Sequence, residues 1–282
     1  GGGQPLHHEL PIGGAECSLH AEDGYRDFES AYGGFARYLE QIVAYCVGEN
    51  EASARWLAEN RPNPFLSALT RDCISRGLDR AAGGARYHCV IIEGFGWCNV
   101  ADGLTATKRL VFDEGRYTLG ELAAAARDNF RDAEELRSEL LRAPKYGNGE
   151  AEADAMAARV TATFAQAVSA HSSGSRYYLP SYHTLNQHVW AGMRTGASAD
   201  GRLAGEPLGK NAGPMPGRAK EGLTGILLSA SSIDQRALSG GQASRIMTFT
   251  PGYALTSSDS LEELDMGGGS TVELDDQVGD DR

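Results

Sequence analysis

Gly83-Gly84, Cys89-Val-Ile-Ile-Glu93, Gly94-Phe-Gly96 and Val100-Ala-Asp-Gly-Leu104 follow one another along a short stretch of chain. The paired glycines break the helix expected before them, since glycine weakens a helix interior. The apolar run 89–93 has strand length, although periodicity alone does not separate it from a buried turn of helix. Gly94-Phe-Gly96 reads as a turn beside that strand. As a dinucleotide loop it fails, because Cys98 and Asn99 occupy the places leading to a third glycine. From Val100 to Val111 the apolar residues return at helical spacing.

Working outward, helical patterns dominate. Phe28, Tyr32, Phe35, Leu39, Ile42, Val43 and Cys46 recur every three or four residues, which predicts an amphipathic helix over Asp27 to Val47 interrupted only by Gly33-Gly34. Arg61-Pro-Asn-Pro is a stop, and Phe65, Leu66, Leu69, Cys73 and Ile74 give a second helix. Thr118-Leu-Gly-Glu121 has capping-box spacing and opens a helix expected to reach about Phe130. Helices over Glu134 to Arg142 and over the Ala-rich Glu150 to His171 complete the set. After Gly174, Gly, Pro and Ser recur and loops are expected through Gly222. A short apolar segment at Ile226-Leu-Leu and a strand around Ile246–Thr250 follow.

The chain has 282 residues, enough for a substantial core. Lys+Arg number 26 against Asp+Glu 38, a net charge of −12 that disfavours a nucleic-acid partner. The charge is uneven: residues 257–282 hold nine acids and one base. Two regions are expected, a folded body over 1–256 and an acidic Gly/Asp-rich tail over 257–282 that is disordered or truncated. No apolar run reaches the roughly 18 residues of a membrane helix. The first residues lack the basic and apolar regions of a signal peptide. The abrupt ends suggest a piece of something larger. Cys17, Cys46, Cys73, Cys89 and Cys98 are odd in number and show no CxxC spacing. A reduced, cytoplasmic chain with packing cysteines is expected.

Two short motifs carry little. Leu238-Ser-Gly-Gly-Gln242 is identical to the signature peptide of ABC-type ATPases, but the sequence lacks the GxxxxGK[ST] loop that would cradle phosphates. His183 and His188 stand five apart, which does not place two metal ligands on one helix face. No metal site is expected.

Longer strings carry a resemblance. Pro64-Phe-Leu-Ser-Ala-Leu-Thr-Arg-Asp-Cys-Ile74, Gly83-Gly-Ala-Arg-Tyr87, Val100-Ala-Asp-Gly-Leu104 with Lys108-Arg-Leu-Val-Phe112, Ala143-Pro-Lys-Tyr-Gly-Asn148 and Thr195-Gly-Ala-Ser-Ala-Asp-Gly-Arg-Leu-Ala-Gly-Glu-Pro207 occur in this order. Together they resemble the glycyl radical enzymes of the pyruvate formate-lyase-like group, in the stretch between the cysteine loop and the glycyl radical loop. The resemblance implies part of a helix-rich, ten-stranded α/β barrel. It also implies a radical lyase, dehydratase or formate acyltransferase that breaks C–C, C–O or C–N bonds of a small polar molecule. Such enzymes carry a glycyl radical installed by a radical-SAM activating enzyme, and a homodimer is implied.

The family's radical motif RV(S/A)GY and thiyl motif GC(V/T)E are both absent, and Gly252-Tyr253 follows Thr-Pro instead. This chain is therefore expected to bind no cofactor and to be inactive alone. A non-catalytic remnant of the same barrel is the alternative. The resemblance places Tyr178-Leu-Pro-Ser-Tyr-His183 by the substrate cavity, where Ser181, Tyr182 and His183 offer donors and acceptors to a polar substrate. Asp200-Gly-Arg202 is expected to be a turn whose charges pair, and Lys145-Tyr-Gly-Asn148 a turn joining helices. A free piece of barrel would expose strand edges and an apolar inner face.

Overall fold

The computed structural model describes residues 24–174, 176–182 and 187–238, together with the backbone of strand residues 248–249 and 272–273. Helix α1 (Phe28–Asn60) starts at a capping box, where the Asp27 carboxylate accepts from the Ser30 amide at 2.7 Å. It runs through Gly33-Gly34 without a break and continues well past Val47, because buried Tyr32, Val43 and Val47 fasten one stripe to the core. The extension to Asn60 is rich in Ala and Glu, good helix formers. It stops where Pro62 forces Arg61 out of helical geometry.

The second expected helix divides into α2 (Pro64–Leu69) and α3 (Cys73–Arg76). Asp72 lies between them at φ 73°, and its carboxylate accepts from Arg86 Nε at 2.6 Å. A π-helical turn over Arg80–Gly84 then leads into the first strand. Gly84 has no alternative there: a Cβ would lie 2.2 Å from the Leu78 carbonyl oxygen.

Strand β1 (His88–Glu93) enters α4 (Trp97–Thr107) through Gly96 at φ 68°. A second π-helical turn, Lys108–Asp113, follows. Its wider spacing lines up charges five apart, so Lys108 meets Asp113 at 2.5 Å and Arg109 meets Glu114 at 2.9 Å. Then come α5 (Leu119–Arg127), α6 (Glu134–Arg142) and α7 (Ala151–Ser169). Helix α5 ends before Phe130, since Asn129 and Phe130 take left-handed backbone.

Strand β2 (Arg176–Ser181) appears where loops were expected. It pairs with β1 in parallel, His88 opposite Arg176 and Glu93 opposite Ser181. Pro180 can sit in β2 because the strand has a free edge on which no ladder donor is needed. Helix α8 (Gln187–Met193) follows, and then α9 (Gly222–Ser231), longer than the apolar triplet suggested. Thr248–Phe249 forms β3, antiparallel to β4 (Val272–Glu273), and agrees with the expected strand.

The main core joins α1, α4, α7 and one face of the strand pair through Tyr32, Val43, Trp97, Ala101, Val160, Phe164, Tyr178 and Tyr182. A second cluster gathers Leu110, Leu122, Phe130, Leu136 and Leu140 around α5 and α6. Along β1, exposure alternates residue by residue, so helices cover one face of the pair; the other is open along β1 and at Tyr177 and closes at buried Ser181. The architecture is the expected helix-rich α/β one. No described helix is long and apolar enough to cross a membrane.

Candidate functional site at the strand ends

Both strands of a parallel pair end on the same side, and in parallel α/β sheets ligands bind outside those carboxyl ends. Here the ends are Glu93 and Ser181. The ladder runs one step further, with the Gly94 amide donating to the Ser181 carbonyl at 2.9 Å. Gly94 must lack a side chain, since a Cβ would stand 3.0 Å from a ring carbon of Tyr182 and 3.3 Å from Phe164.

The structure separates the three residues singled out by sequence. Ser181 stands opposite Glu93 on the same side of the pair, but unlike the exposed Glu93 it is itself buried. Tyr182 turns to the helix side, with its ring 5.0 Å from Trp97 and 5.4 Å from Phe164, centroid to centroid. Its hydroxyl is buried without a hydrogen-bond partner among the described residues, and burial pushes its ionisation far upward. His183 lies outside the described residues. Sequence reasoning missed Glu93, because a strand-ending acid looks like ordinary solvated surface until its partner strand is known. Only the alternation of the run 88–93 could have placed it on the open face.

Behind the strand ends, the resembling strings converge on one buried polar network. Trp97 Nε1 donates to the Asn211 carbonyl at 2.8 Å, and Tyr146, edge-on to Trp97 at 4.9 Å, donates to that of Ala212 at 2.9 Å. Asn99 donates to Asp200 at 2.7 Å and accepts from the Gly209 amide at 2.8 Å. Asp102 is wholly buried; one oxygen accepts from the Tyr146 amide at 2.8 Å and the other has no partner among the described residues. Burial pushes the Asp102 carboxyl up to about 8 and pulls the Lys145 ammonium down. Lys145 Nζ donates to the carbonyls of Leu140 at 2.6 Å and Ala143 at 2.9 Å, so the 145–148 turn is a buried joint.

The charges of Asp200 and Arg202 do not pair directly, contrary to expectation. Ser198 Oγ stands between them, accepting from Arg202 Nε at 3.2 Å and donating to Asp200 at 2.5 Å. The guanidinium spends its other donors on the carbonyls of Leu203, Glu206, Thr195 and Gly196. Chemically this network is a brace: it fixes α4, and hence the strand ends, against residues 195–215. A crevice of about 400 Å³ between α4 and residues 195–208 is mostly apolar, lined by Phe95, Val100, Leu104, Ala199 and Leu208.

None of the described cysteines sits in a GC(V/T)E loop. Cys98 is buried so tightly that a Cβ on Gly209 would stand 1.9 Å from its sulfur, and burial raises its thiol well above the usual range. Cys73 is buried and Cys46 half-buried, as packing residues should be. Cys89 departs from that reading, since it is exposed on the open strand face, but it sits in a strand rather than a GC(V/T)E loop. Cys17 and Gly252 lie outside the described residues, as do Ser239 to Gln242 of the ATPase-like peptide. Among the described residues no group of three or more His, Cys, Asp or Glu is placed to hold a metal.

Comparison with known proteins agrees with this geometry. A family described as pyruvate formate lyase-like matches residues 14–192. The chain is 28% identical over 229 residues to trans-4-hydroxy-L-proline dehydratase of Clostridioides difficile, covering 79% of this chain and 29% of that protein. It is 31% identical over 248 residues to (2S)-3-sulfopropanediol dehydratase of Klebsiella oxytoca, covering 85% and 30%. The glycerol-bound B12-independent glycerol dehydratase from Clostridium butyricum superposes with a TM-score of 0.74 at 26% identity, over 89% of this chain and 33% of that one. A Roseburia inulinivorans structure described for 1,2-propanediol dehydration gives 0.74 at 28%, over 86% and 31%. The chain thus spans about a third of the length of these relatives.

Proposed function

The chain belongs to the pyruvate formate lyase-like family of glycyl radical enzymes, and on that premise we propose that it is the barrel wall of a radical dehydratase or lyase acting on a small hydroxylated molecule. The observation that carries the reading is the parallel β1–β2 pair, covered by helices on one face and open along β1 on the other, with exposed Glu93 and buried Ser181 at its C-terminal ends. A radical site needs such a wall to hold a polar substrate by hydrogen bonds while excluding water.

Of the candidate contacts Ser181, Tyr182 and His183, Tyr182 is turned to the helix side, which leaves Ser181 and His183 as the contacts of this segment. Tyr182 serves as the aromatic wedge that locks the strand end onto Trp97 and Phe164. The radical glycine and the thiyl cysteine are not supplied by the sequence given, so the isolated chain forms no glycyl radical and turns over nothing. The radical-SAM activase, the homodimer and a cytoplasmic location belong to the same proposal.

The test is anaerobic activation of the full-length protein with a radical-SAM activase, followed by electron paramagnetic resonance and an assay on glycerol and 1,2-propanediol. A glycyl doublet with loss of diol supports the reading. A well-folded full-length protein with no doublet sinks it. The 282-residue chain alone should give no doublet in either case.

A further inference from the structure

The open face of the strand pair carries three cross-strand rungs: Cys89 opposite Tyr177, Ile91 opposite Leu179, and Glu93 opposite Ser181. The first two are largely apolar and accessible, with Ile91 49% and Tyr177 37% exposed. The third sets the exposed Glu93 carboxylate beside the buried Ser181, at the C-terminal strand ends outside which ligands of parallel α/β sheets bind. Glu93 is exposed here. On a barrel wall, however, that face turns inward, and a carboxylate losing water needs a hydrogen-bond donor or a cation in its place. An ionised carboxylate only accepts. A neutral diol is complementary to Glu93 and the apolar rung beside it: one hydroxyl donates to Glu93 and its carbon skeleton lies over Ile91 and Leu179. A sulfonate or carboxylate placed there would face like charge.

We infer that Glu93 is a substrate-contacting, specificity-determining residue, and that the group it receives is a hydroxyl of a small neutral diol. The inference rests on the function proposed above and names a residue and a substrate class within it. Charge-assisted hydrogen bonds are the stronger kind, so losing one should cost about ten- to hundredfold in kcat/KM.

The experiment uses the full-length protein after anaerobic activation, with the radical content of every variant measured by electron paramagnetic resonance. Initial rates are taken on glycerol, 1,2-propanediol and isethionate. Wild type should consume a diol and reject isethionate. Glu93→Gln should lose about ten- to hundredfold in kcat/KM on the diol at unchanged radical content, and Glu93→Asp should recover part of the loss. Because Glu93 is exposed in the isolated chain, both variants of that chain should melt as wild type does. A Glu93→Gln enzyme within twofold of wild type, or a wild type that prefers isethionate, overturns the inference while a glycyl doublet leaves the family-level function standing. A wild type without a doublet overturns both.

Discussion

Tyr182 and Asp102 show how burial sets the behaviour of single groups. Among the described residues the Tyr182 hydroxyl has no partner in its aromatic pocket, so deleting it should remove an unsatisfied dipole rather than a bond. Tyr182→Phe should leave stability unchanged or raise it by up to about 1 kcal/mol, read as the urea midpoint, with turnover of the full-length protein near wild type. A loss of about 2 kcal/mol or more would show a partner for that hydroxyl. Asp102 titrates near 8 in the fold against 3.8 for the ordinary group, because burial disfavours its charge. Between those values the folded state holds a proton that the unfolded state has released, so stability should fall as pH rises from about 4 to 8. Lys145 has the opposite sign: burial lowers its value, so the unfolded state binds the extra proton and stability recovers as pH rises towards its ordinary 10.5. Urea melts of the chain at pH 5 and pH 8 check this, and Asp102→Asn should flatten the difference. An equal slope in Asp102→Asn would remove Asp102 as its source. Neither effect was legible in the sequence, where an Asp and a Lys in separate strings gave no sign of meeting in one buried network.

At the scale of elements, local chemistry was readable and long-range pairing was not. The Thr118–Glu121 capping box is present as its spacing implied, the Thr118 hydroxyl accepting from the Glu121 amide at 3.2 Å and the Glu121 carboxylate accepting from the Thr118 amide at 2.7 Å. Thr118→Ala should cost about 1 kcal/mol of stability by removing one of those bonds. Helix α6 keeps the bounds that its sequence pattern gave. Strand β2 was hidden because Pro180 and the flanking glycine read as loop, and only the distant β1 gives it a partner. Helix α1 was cut short in the reading because the apolar periodicity ends at Val47, whereas the mostly exposed, Ala- and Glu-rich residues beyond it stay helical on propensity. Close approach between elements offers its own test at Gly209, which touches Cys98 of α4. Gly209→Ala should destabilise by about 1–3 kcal/mol through overpacking. Adding Cys98→Ala should return part of that loss, a coupling that a double-mutant cycle measures. Additive effects would mean that the two elements do not meet there.

At the scale of the whole molecule, family strings separated by tens of residues converge in space, which is why they identified the barrel before any contact was known. Val100–Leu104, Ala143–Asn148 and Thr195–Pro207 meet through Asp102, Tyr146, Asn99 and Asp200. The substrate wall was less legible, since a reading of one segment at a time cannot show which residues share a sheet face. In the full-length protein the open face of β1 and β2, and the edges that are free among the described residues, should form one wall of a closed barrel. Hydrogen–deuterium exchange of peptides 87–94 and 176–182 tests it most directly, comparing the isolated chain with the full-length protein and using α7 as internal reference. The account predicts at least tenfold slower exchange of both strand peptides in the full-length protein, with α7 protected in both. Equal exchange of the strands in the two proteins would contradict it.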